Sequence, residues 1–252
     1  MQLSDLILDE LARQAEIGQI EHAIYFAAVA YQPRSMSELA LRARVSRNAA
    51  TKACRTLVAL GWMRLERSSR RVHPIAIVPH RCQELLAPRL RVEYNLTALK
   101  GEFLMKRYLD LSICTRFFVD NAHPQFLENP MTGHLVEYDR YYDMHKVAFE
   151  FNGSQHHETT EVFADQEKVD EIRTRDAVKA GLSGGEQVRL IVVTPENLLP
   201  RSLDALLPDG LPKCPVDYKG PYFKTLNELC IGYVRAVYQH RKAQQSKAGR
   251  GV

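Results

Sequence analysis

The chain has 252 residues, of which 45% are hydrophobic and 25% are charged, and its formal net charge is +4. These fractions are typical of globular proteins and exclude wholesale disorder. No stretch approaches the roughly 18 consecutive apolar residues that a membrane helix requires. The N-terminal sequence MQLSDLILDELARQ lacks the basic start of a secretory signal. We therefore expect one or two cytoplasmic domains and no membrane partner.

The cysteines do not form a recognisable framework. Five are present, an odd number, and no two are spaced as CxxC. This pattern disfavours both a disulfide framework and a zinc knuckle. Free thiols in a reducing compartment are the expected state.

Positive charge is concentrated in one part of the chain. Residues 41–100 carry 13 Lys and Arg against three acidic residues, a net charge of +10, so the remaining residues sum to −6. Such a patch is the usual footprint of a polyanionic partner, although a solvated basic face remains an alternative.

The basic region begins with a predicted series of short helices. Residues 20–31 are apolar and predict a helix. Ser37 is a plausible N-cap for a second helix, and Ser46 is one for a third, which Gly61 would end. Residues 62–78 then predict strand, polar turn and strand.

The segment SELALRARVSRNAATKACRTLVALGWM (37–63) resembles the winged helix-turn-helix family, and the resemblance covers residues 20–80. It implies a DNA-binding domain over residues 1–80. In that family the helix after the Val-Ser turn enters the major groove of duplex DNA, and the hairpin contacts the backbone or minor groove.

The third helix has the polar face that this role requires. Positions 47, 48, 51, 52 and 55 form one stripe opposite an apolar side, and their residue types can contact phosphates and base edges. A winged helix used for protein contacts is the alternative. The DNA-binding candidates are Arg44, Ser46, Arg47, Asn48, Thr51, Lys52 and Arg55, with Arg67, Arg70 and Arg71 in the wing.

The remaining chain alternates helices and strands. Residues 81–100 are expected to form a connector with one helical turn or more, 101–245 a second domain and 246–252 a disordered tail. The predicted elements are a helix at 101–112, a strand at 114–120, a hairpin from 134–142 and 146–152, a helix at 163–180, a loop at Gly181, Gly184 and Gly185, a buried central strand at 188–194, and a helix at 222–242.

Within this part, Tyr138-Asp139, Phe149-Glu150-Phe151-Asn152-Gly153 and Gln155-His156-His157 occur in order. With the helix and the strand that follow, these residues resemble the PD-(D/E)XK nuclease superfamily, close to small very-short-patch-repair-like domains. The resemblance covers about residues 100–195. It implies an α+β or α/β class, with a restriction-endonuclease-like αβββαβ domain after the winged helix.

Two carboxylates are the expected centre of this domain. Ten residues separate Asp139 from Glu150, which suits adjacent strands of a hairpin, and Asn152 faces the same side of its strand as Glu150. Mg²⁺ prefers oxygen ligands and needs only one or two carboxylates from a protein. We expect Asp139 and Glu150 to bind Mg²⁺, with Mn²⁺ as a substitute, for phosphodiester hydrolysis.

One departure from the resemblance matters. The family commonly has Lys where this chain has Asn152, so Asn152 itself, Gln155, His156 or Lys168 would have to position the water or phosphate. Glu102 matches an upstream helical glutamate that completes the metal site through water.

Other assignments remain open for the same residues. Asp139 could pair with Arg140 or cap the hairpin turn, and Glu150 could pair with a buried arginine. Glu102 could be a solvated carboxylate favoured by the helix dipole. His156 and His157 could be loop residues without a functional role. A zinc site formed by His145, His156 and His157 is also conceivable.

The sequence therefore predicts a magnesium-dependent deoxyribonuclease that binds double-stranded DNA. The alternative is a catalytically degenerate nuclease fold that acts as a DNA-binding regulator, and a third possibility is an accessory factor for branched or damaged DNA. A homodimer is left open.

Overall fold

The computed structural model describes residues 17–68, 71–77, 80–113, 115, 117–153, 166–214 and 216–248. These residues form a mixed α+β fold with two sheets, so the expected class is confirmed at that level. None of the helices in these ranges has the length and apolarity needed to cross a bilayer.

The chain divides into two compact units that are interleaved in sequence. The first contains residues up to Leu96, together with Arg107–Arg116 and Asp209–Leu226. The second contains Thr97–Lys106, Phe117–Pro208 and the chain from Asn227 onward.

Among its described residues, the first unit begins with three helices, an antiparallel two-stranded sheet and a further helix. These are α1 (Gln19–Tyr31), α2 (Met36–Arg42), α3 (Arg47–Ala59), β1 (Met63–Ser68), β2 (Arg71–Ala76) and α4 (His80–Leu96). The last of these is a 17-residue helix in the segment that was expected to be a connector.

Local signals explain the helix ends of this unit, with one correction. Ser35, not Ser37, caps α2, because the Ser35 hydroxyl accepts the Glu38 amide at 3.2 Å. Ser46 caps α3 as predicted, accepting the Ala49 amide at 3.2 Å. Gly61, which follows the end of α3, has a φ of +75°, a conformation that glycine adopts without strain.

An apolar core holds these elements together. The inner side of α3 buries Ala50, Ala53, Cys54 and Leu57. Tyr25 of α1 meets the ring of Trp62 edge to face at 5.7 Å, and its hydroxyl donates to the carbonyl of Ile77 at 2.9 Å. Helix α1 is thereby tied to the chain on either side of the hairpin.

The second sheet has the order β3-β4-β5-β6, with the first two pairs antiparallel and the last parallel. The remaining elements are α5 (Lys100–Ser112), β3 (Val119–Ala122), β4 (Tyr138–Tyr142), β5 (Val147–Phe151), α6 (Gln166–Gly185), β6 (Arg189–Val193), α7 (Pro200–Leu206) and α8 (Pro221–Ala248).

Several predicted boundaries are wrong. The strand expected at 114–120 is the shorter β3 at 119–122. The apolar run at 188–194 contains β6, which lies at an edge of the sheet and not at its centre. Helix α8 continues to Ala248, into the segment expected to be disordered.

The three glycines at 181, 184 and 185 lie in α6 and not in a loop. Glycine weakens a helix by about 1 kcal/mol relative to alanine, but packing can override propensity. Ser183 lies between these glycines and is fully buried, its hydroxyl donating to the Lys179 carbonyl at 2.6 Å and contacting the Tyr138 hydroxyl at 2.5 Å. These contacts hold the last turns of α6 against β4.

Some of the cysteines are free thiols and one forms a disulfide. Cys54 and Cys230 are buried free thiols, and burial raises the pKa of Cys54 to about 11 and that of Cys230 to about 12. Cys214, by contrast, forms a disulfide, contrary to the expectation of free thiols throughout.

Candidate active site

Asp139 and Glu150 lie side by side on neighbouring strands. The antiparallel register of β4 and β5 pairs Arg140 with Phe149 and Tyr141 with Ala148. The same register places position 139 opposite position 150. Residues opposite each other in an antiparallel pair project to the same face of the sheet, with Cβ atoms about 5 Å apart.

Both carboxylates line a cleft of about 1500 Å³ within the second unit. Glu102, from the first turn of α5, and Lys179, from α6, line the same cleft. Two strands and two helices of one unit therefore contribute charged side chains to a single concave site.

Glu150 is paired with a buried lysine. Lys179 Nζ lies 2.5 Å from Glu150 Oε1, and the lysine residue is only 4% exposed. Tyr138 and Ser183 support the backbone at this turn of α6 through the contacts given above. A lysine held in this way compensates part of the cost of burying the glutamate charge.

Glu102 is held by a second lysine. Lys106, one helical turn further along α5, donates to Glu102 Oε1 at 2.5 Å and to Asn121 Oδ1 at 2.6 Å. Asn121 has a φ of +53°, a conformation for which asparagine is more tolerant than most residues. The glutamate is therefore an ion-paired carboxylate and not a solvated one.

Arg140 pairs with Asp120 of β3 and not with a carboxylate of the cleft. Its guanidinium bonds both carboxylate oxygens of Asp120, at 2.6 and 3.1 Å, and lies 4.0 Å from the centroid of the Phe118 ring. The arginine also donates to the Lys106 carbonyl at 3.2 Å. Arg140 is therefore the partner of Asp120, and the alternative pairing with Asp139 is wrong.

The electrostatics of the cleft raise the pKa of two of its carboxyls, Asp139 and Glu150. Burial, followed by the charge of Glu150, raises the pKa of Asp139 to about 7, although the Phe151 amide lowers it by donating to Asp139 Oδ2 at 2.6 Å. The charge of Glu102 adds to the increase. Burial also raises the pKa of Glu150, and Lys179 opposes that shift.

Two oxygens of the site lack a partner in the part of the chain that the structure describes. Glu150 Oε2 and Asn152 Oδ1 are buried there without a hydrogen bond. A buried polar atom without a partner is costly, so these oxygens are suited to a cation, a donor or water. Glu150 and the opposite Asp139 offer carboxylate oxygens at the cleft, and oxygen ligands are what Mg²⁺ and Mn²⁺ prefer.

Asp139 and Glu150 provide fewer acidic side chains than a closed metal site would have. No group of three or more His, Cys, Asp or Glu arranged to hold a metal occurs among the described residues. A Mg²⁺ site needs only one or two protein carboxylates, because the ion keeps several of its waters.

The structure brings together some of the predicted site residues and leaves others undecided. Glu102, Asp139 and Glu150 share the cleft, and Asn152 follows β5. Gln155 and His156 lie outside the described residues, as do His157 and the side chain of Lys168.

Lys179 was missed in the sequence. It lies three and four residues before Leu182 and Ser183, and therefore on their face of α6. Leu182 packs against the core of this sheet, and Ser183 is buried. A lysine on an inward-facing side of a helix is the signal that could have identified it.

The predicted DNA-binding residues lie on the surface of the first unit. Thr51 is half-buried and donates to the Arg47 carbonyl at 2.9 Å, while the hydroxyl of Ser46 is used as the α3 cap. Arg70 and the side chain of Arg71 lie outside the described residues. The exposed members are Arg44, Ser46, Arg47, Asn48, Lys52, Arg55 and Arg67.

No protein-family model, curated protein or solved structure matches this chain. Its function must therefore be argued from the site itself.

Proposed function

We propose that the protein is a DNA-binding, divalent-metal-dependent endonuclease that hydrolyses phosphodiester bonds. The observation that carries the proposal is the pair of carboxylates at 139 and 150, placed opposite each other at a cleft with an orphaned Glu150 oxygen. Carboxylates that are forced together in this way gain most from a shared cation.

The element order of the second unit supports the nuclease assignment. The series α5-β3-β4-β5-α6-β6 has the αβββαβ order that the PD-(D/E)XK resemblance implies. Glu102 precedes the strands, Asp139 lies on the second and Glu150 on the third. We assign a restriction-endonuclease-like domain to this part and a winged helix to the N-terminal part.

Asp139 and Glu150 would hold the cation. Bound Mg²⁺ supplies charge neutralisation at the phosphate and a more acidic water. In the hydrolysis a water oxygen forms a bond to phosphorus, one P–O ester bond breaks, and the leaving oxygen is protonated. The protein residues fix the carboxylate positions, and Glu102, tethered by Lys106, adds negative charge next to Asp139.

Positive side chains at the cleft suit it to a polyanion. Lys100 and Arg175 line the cleft and are exposed. In the first unit, Arg47, Lys52 and Arg55 lie along the exposed side of α3. We propose that α3 binds duplex DNA in the major groove, because this stripe offers both phosphate and base contacts.

A plasmid-nicking assay with Mg²⁺ tests the enzymatic proposal. We expect Glu150→Gln, which keeps the shape of the side chain but removes its charge, to lower the rate at least 100-fold. Glu186→Gln is the matched control, because Glu186 is exposed and lies after α6. A wild-type protein that is inert with Mg²⁺ and Mn²⁺, or a Glu150→Gln variant that cleaves normally, would refute the proposal.

The second candidate function is a DNA-binding regulator with a degenerate nuclease fold. Asn152 favours this candidate, because the nuclease family commonly has a lysine at this position and asparagine supplies no charge. Calorimetric titration with Mn²⁺ separates the two candidates. An endonuclease requires binding that Glu150→Gln abolishes, whereas a degenerate site gives no heat beyond dilution.

A further inference from the structure

Lys179 differs from the other buried lysine of the site in how its donors are used. An ammonium has three N–H donors. Lys106 spends two of them on Glu102 and Asn121. The one hydrogen bond of Lys179 Nζ recorded within the described residues goes to Glu150 Oε1, which leaves two donors for another acceptor.

The surroundings of Lys179 restrict where those donors can be used. Its side chain is 5% exposed, whereas that of Glu150 is 21% exposed, and both line the cleft that contains Asp139. An acceptor on a bound ligand would therefore reach Lys179 through this cleft.

The negative charge of the site also requires a positively charged side chain whose N–H donors are not all used by protein carboxylates. Glu102, Asp139 and Glu150 contribute carboxyls, and a phosphodiester brings one further negative charge. Lys106 is engaged by Glu102, and position 152 carries no charge. Lys179 is the remaining buried cation among the described residues that line this cleft.

Resting on the proposed nuclease function, we propose that Lys179 is the cationic residue that contacts the reacting phosphate or its attacking water. It supplies from helix α6 the charge that position 152, just after β5, lacks. It forms no covalent bond and gives up no proton; it donates hydrogen bonds to oxygens on which negative charge develops. Fixed donors of this kind typically contribute 10²–10³-fold to the rate.

Kinetics and a rescue variant test this assignment. We expect Lys179→Met to lower kcat for plasmid cleavage about 100-fold or more, with KM changed less than threefold. Adding Asn152→Lys to that variant should recover at least tenfold of the loss, because it returns a positive charge two residues after Glu150, the carboxylate that pairs with Lys179. A lysine with only a structural role would not be replaced by one that follows β5 at position 152.

Thermal unfolding without metal provides a readout that does not depend on cleavage. We expect the melting temperature to fall in Lys179→Met and to recover in part when Glu150→Gln is added, since the second change removes the uncompensated charge. Lys224→Met is the matched control, because Lys224 is exposed on α8. If Lys179→Met does not fold, Lys179→Gln takes its place.

The outcomes distinguish the two proposals. If the wild type is active and Lys179→Met is equally active, the assignment of Lys179 is overturned but the nuclease function is not. The same holds if Lys179→Met folds and Asn152→Lys does not rescue it. Additive melting effects of Lys179→Met and Glu150→Gln would also overturn the assignment, since the pair would then not interact. An inert wild type overturns the nuclease function and this inference together.

Discussion

The two units place their charges in opposite ways. In the first unit the charges of α3 lie on its exposed side, and the inner side is apolar. In the second unit Arg140, Lys106 and Lys179 are buried, and each is bonded to a carboxylate. The first arrangement is an amphipathic surface, whereas the second is a polar network within the fold.

This difference sets how each region should respond to change. Exposed charges interact weakly with the rest of the protein, are screened by salt and act almost independently. Buried charges are coupled, and removal of one leaves its partner uncompensated. The two regions can therefore be separated by stability, pH and salt measurements as well as by function.

The largest expected effect on stability is at Arg140. Arg140→Met removes the bonds to Asp120 and to the Lys106 carbonyl and the stacking on Phe118, so we expect a loss of about 3 kcal/mol. Arg47→Met, the matched change on α3, should alter stability by less than about 0.5 kcal/mol. Denaturant unfolding measures both. Equal effects would remove the distinction between the two regions.

The pH dependence of the cleft gives the next effect. Because the pKa of Asp139 is raised from 3.8 to about 7, the folded protein binds a proton more tightly than the unfolded chain. The stabilisation is complete below about pH 4 and is lost as the pH rises through 7. Asp139→Asn should therefore gain several degrees of melting temperature relative to wild type between pH 4.5 and pH 8.

Asp143, an exposed aspartate, is the control for the sign of the change in stability with pH. Hydrogen bonds from Tyr141 and then Lys146 lower the pKa of Asp143, so its contribution is present at neutral pH and is lost on acidification. Asp143→Asn should therefore lose a small amount of stability at pH 8 and none at low pH. A melting-temperature difference for Asp139→Asn that is the same at both pH values would contradict the prediction.

The exposed stripe of α3 should respond to salt. Each phosphate contact contributes about 0.9 to the slope of log K against log salt concentration, so Arg47→Ala with Lys52→Ala should reduce that slope by about 1.8. Titration of a labelled duplex at several salt concentrations measures it. Lys213→Ala with Lys219→Ala is the control pair, and an equal reduction there would show that the binding face lies elsewhere.

The sequence predicted the parts of the fold that depend on local pattern. The polar stripe of α3, the Ser46 cap and the hairpin at 138–151 follow from periodicity and turn chemistry. The opposition of Asp139 and Glu150 also follows, because hairpin register is set by a short connection.

What the sequence did not predict depends on contacts between distant segments. The position of β6 at a sheet edge cannot be read from an apolar run, since periodicity does not reveal neighbours. The glycines of α6 suggested a loop, but the buried Ser183 holds that turn as helix. Lys179 was missed for the same reason, because its partner Glu150 is 29 residues away.

The smallest expected effect tests the correction at the start of α2. The Ser35 hydroxyl accepts the Glu38 amide, and Glu38 Oε2 accepts the Arg34 amide at 2.9 Å, so Ser35→Ala should cost about 1 kcal/mol. Ser37 lies inside the helix, where serine has a lower helix propensity than alanine. Ser37→Ala should therefore be neutral or slightly stabilising. Chemical unfolding of the two variants decides between the caps, since a cap at Ser37 would reverse their order.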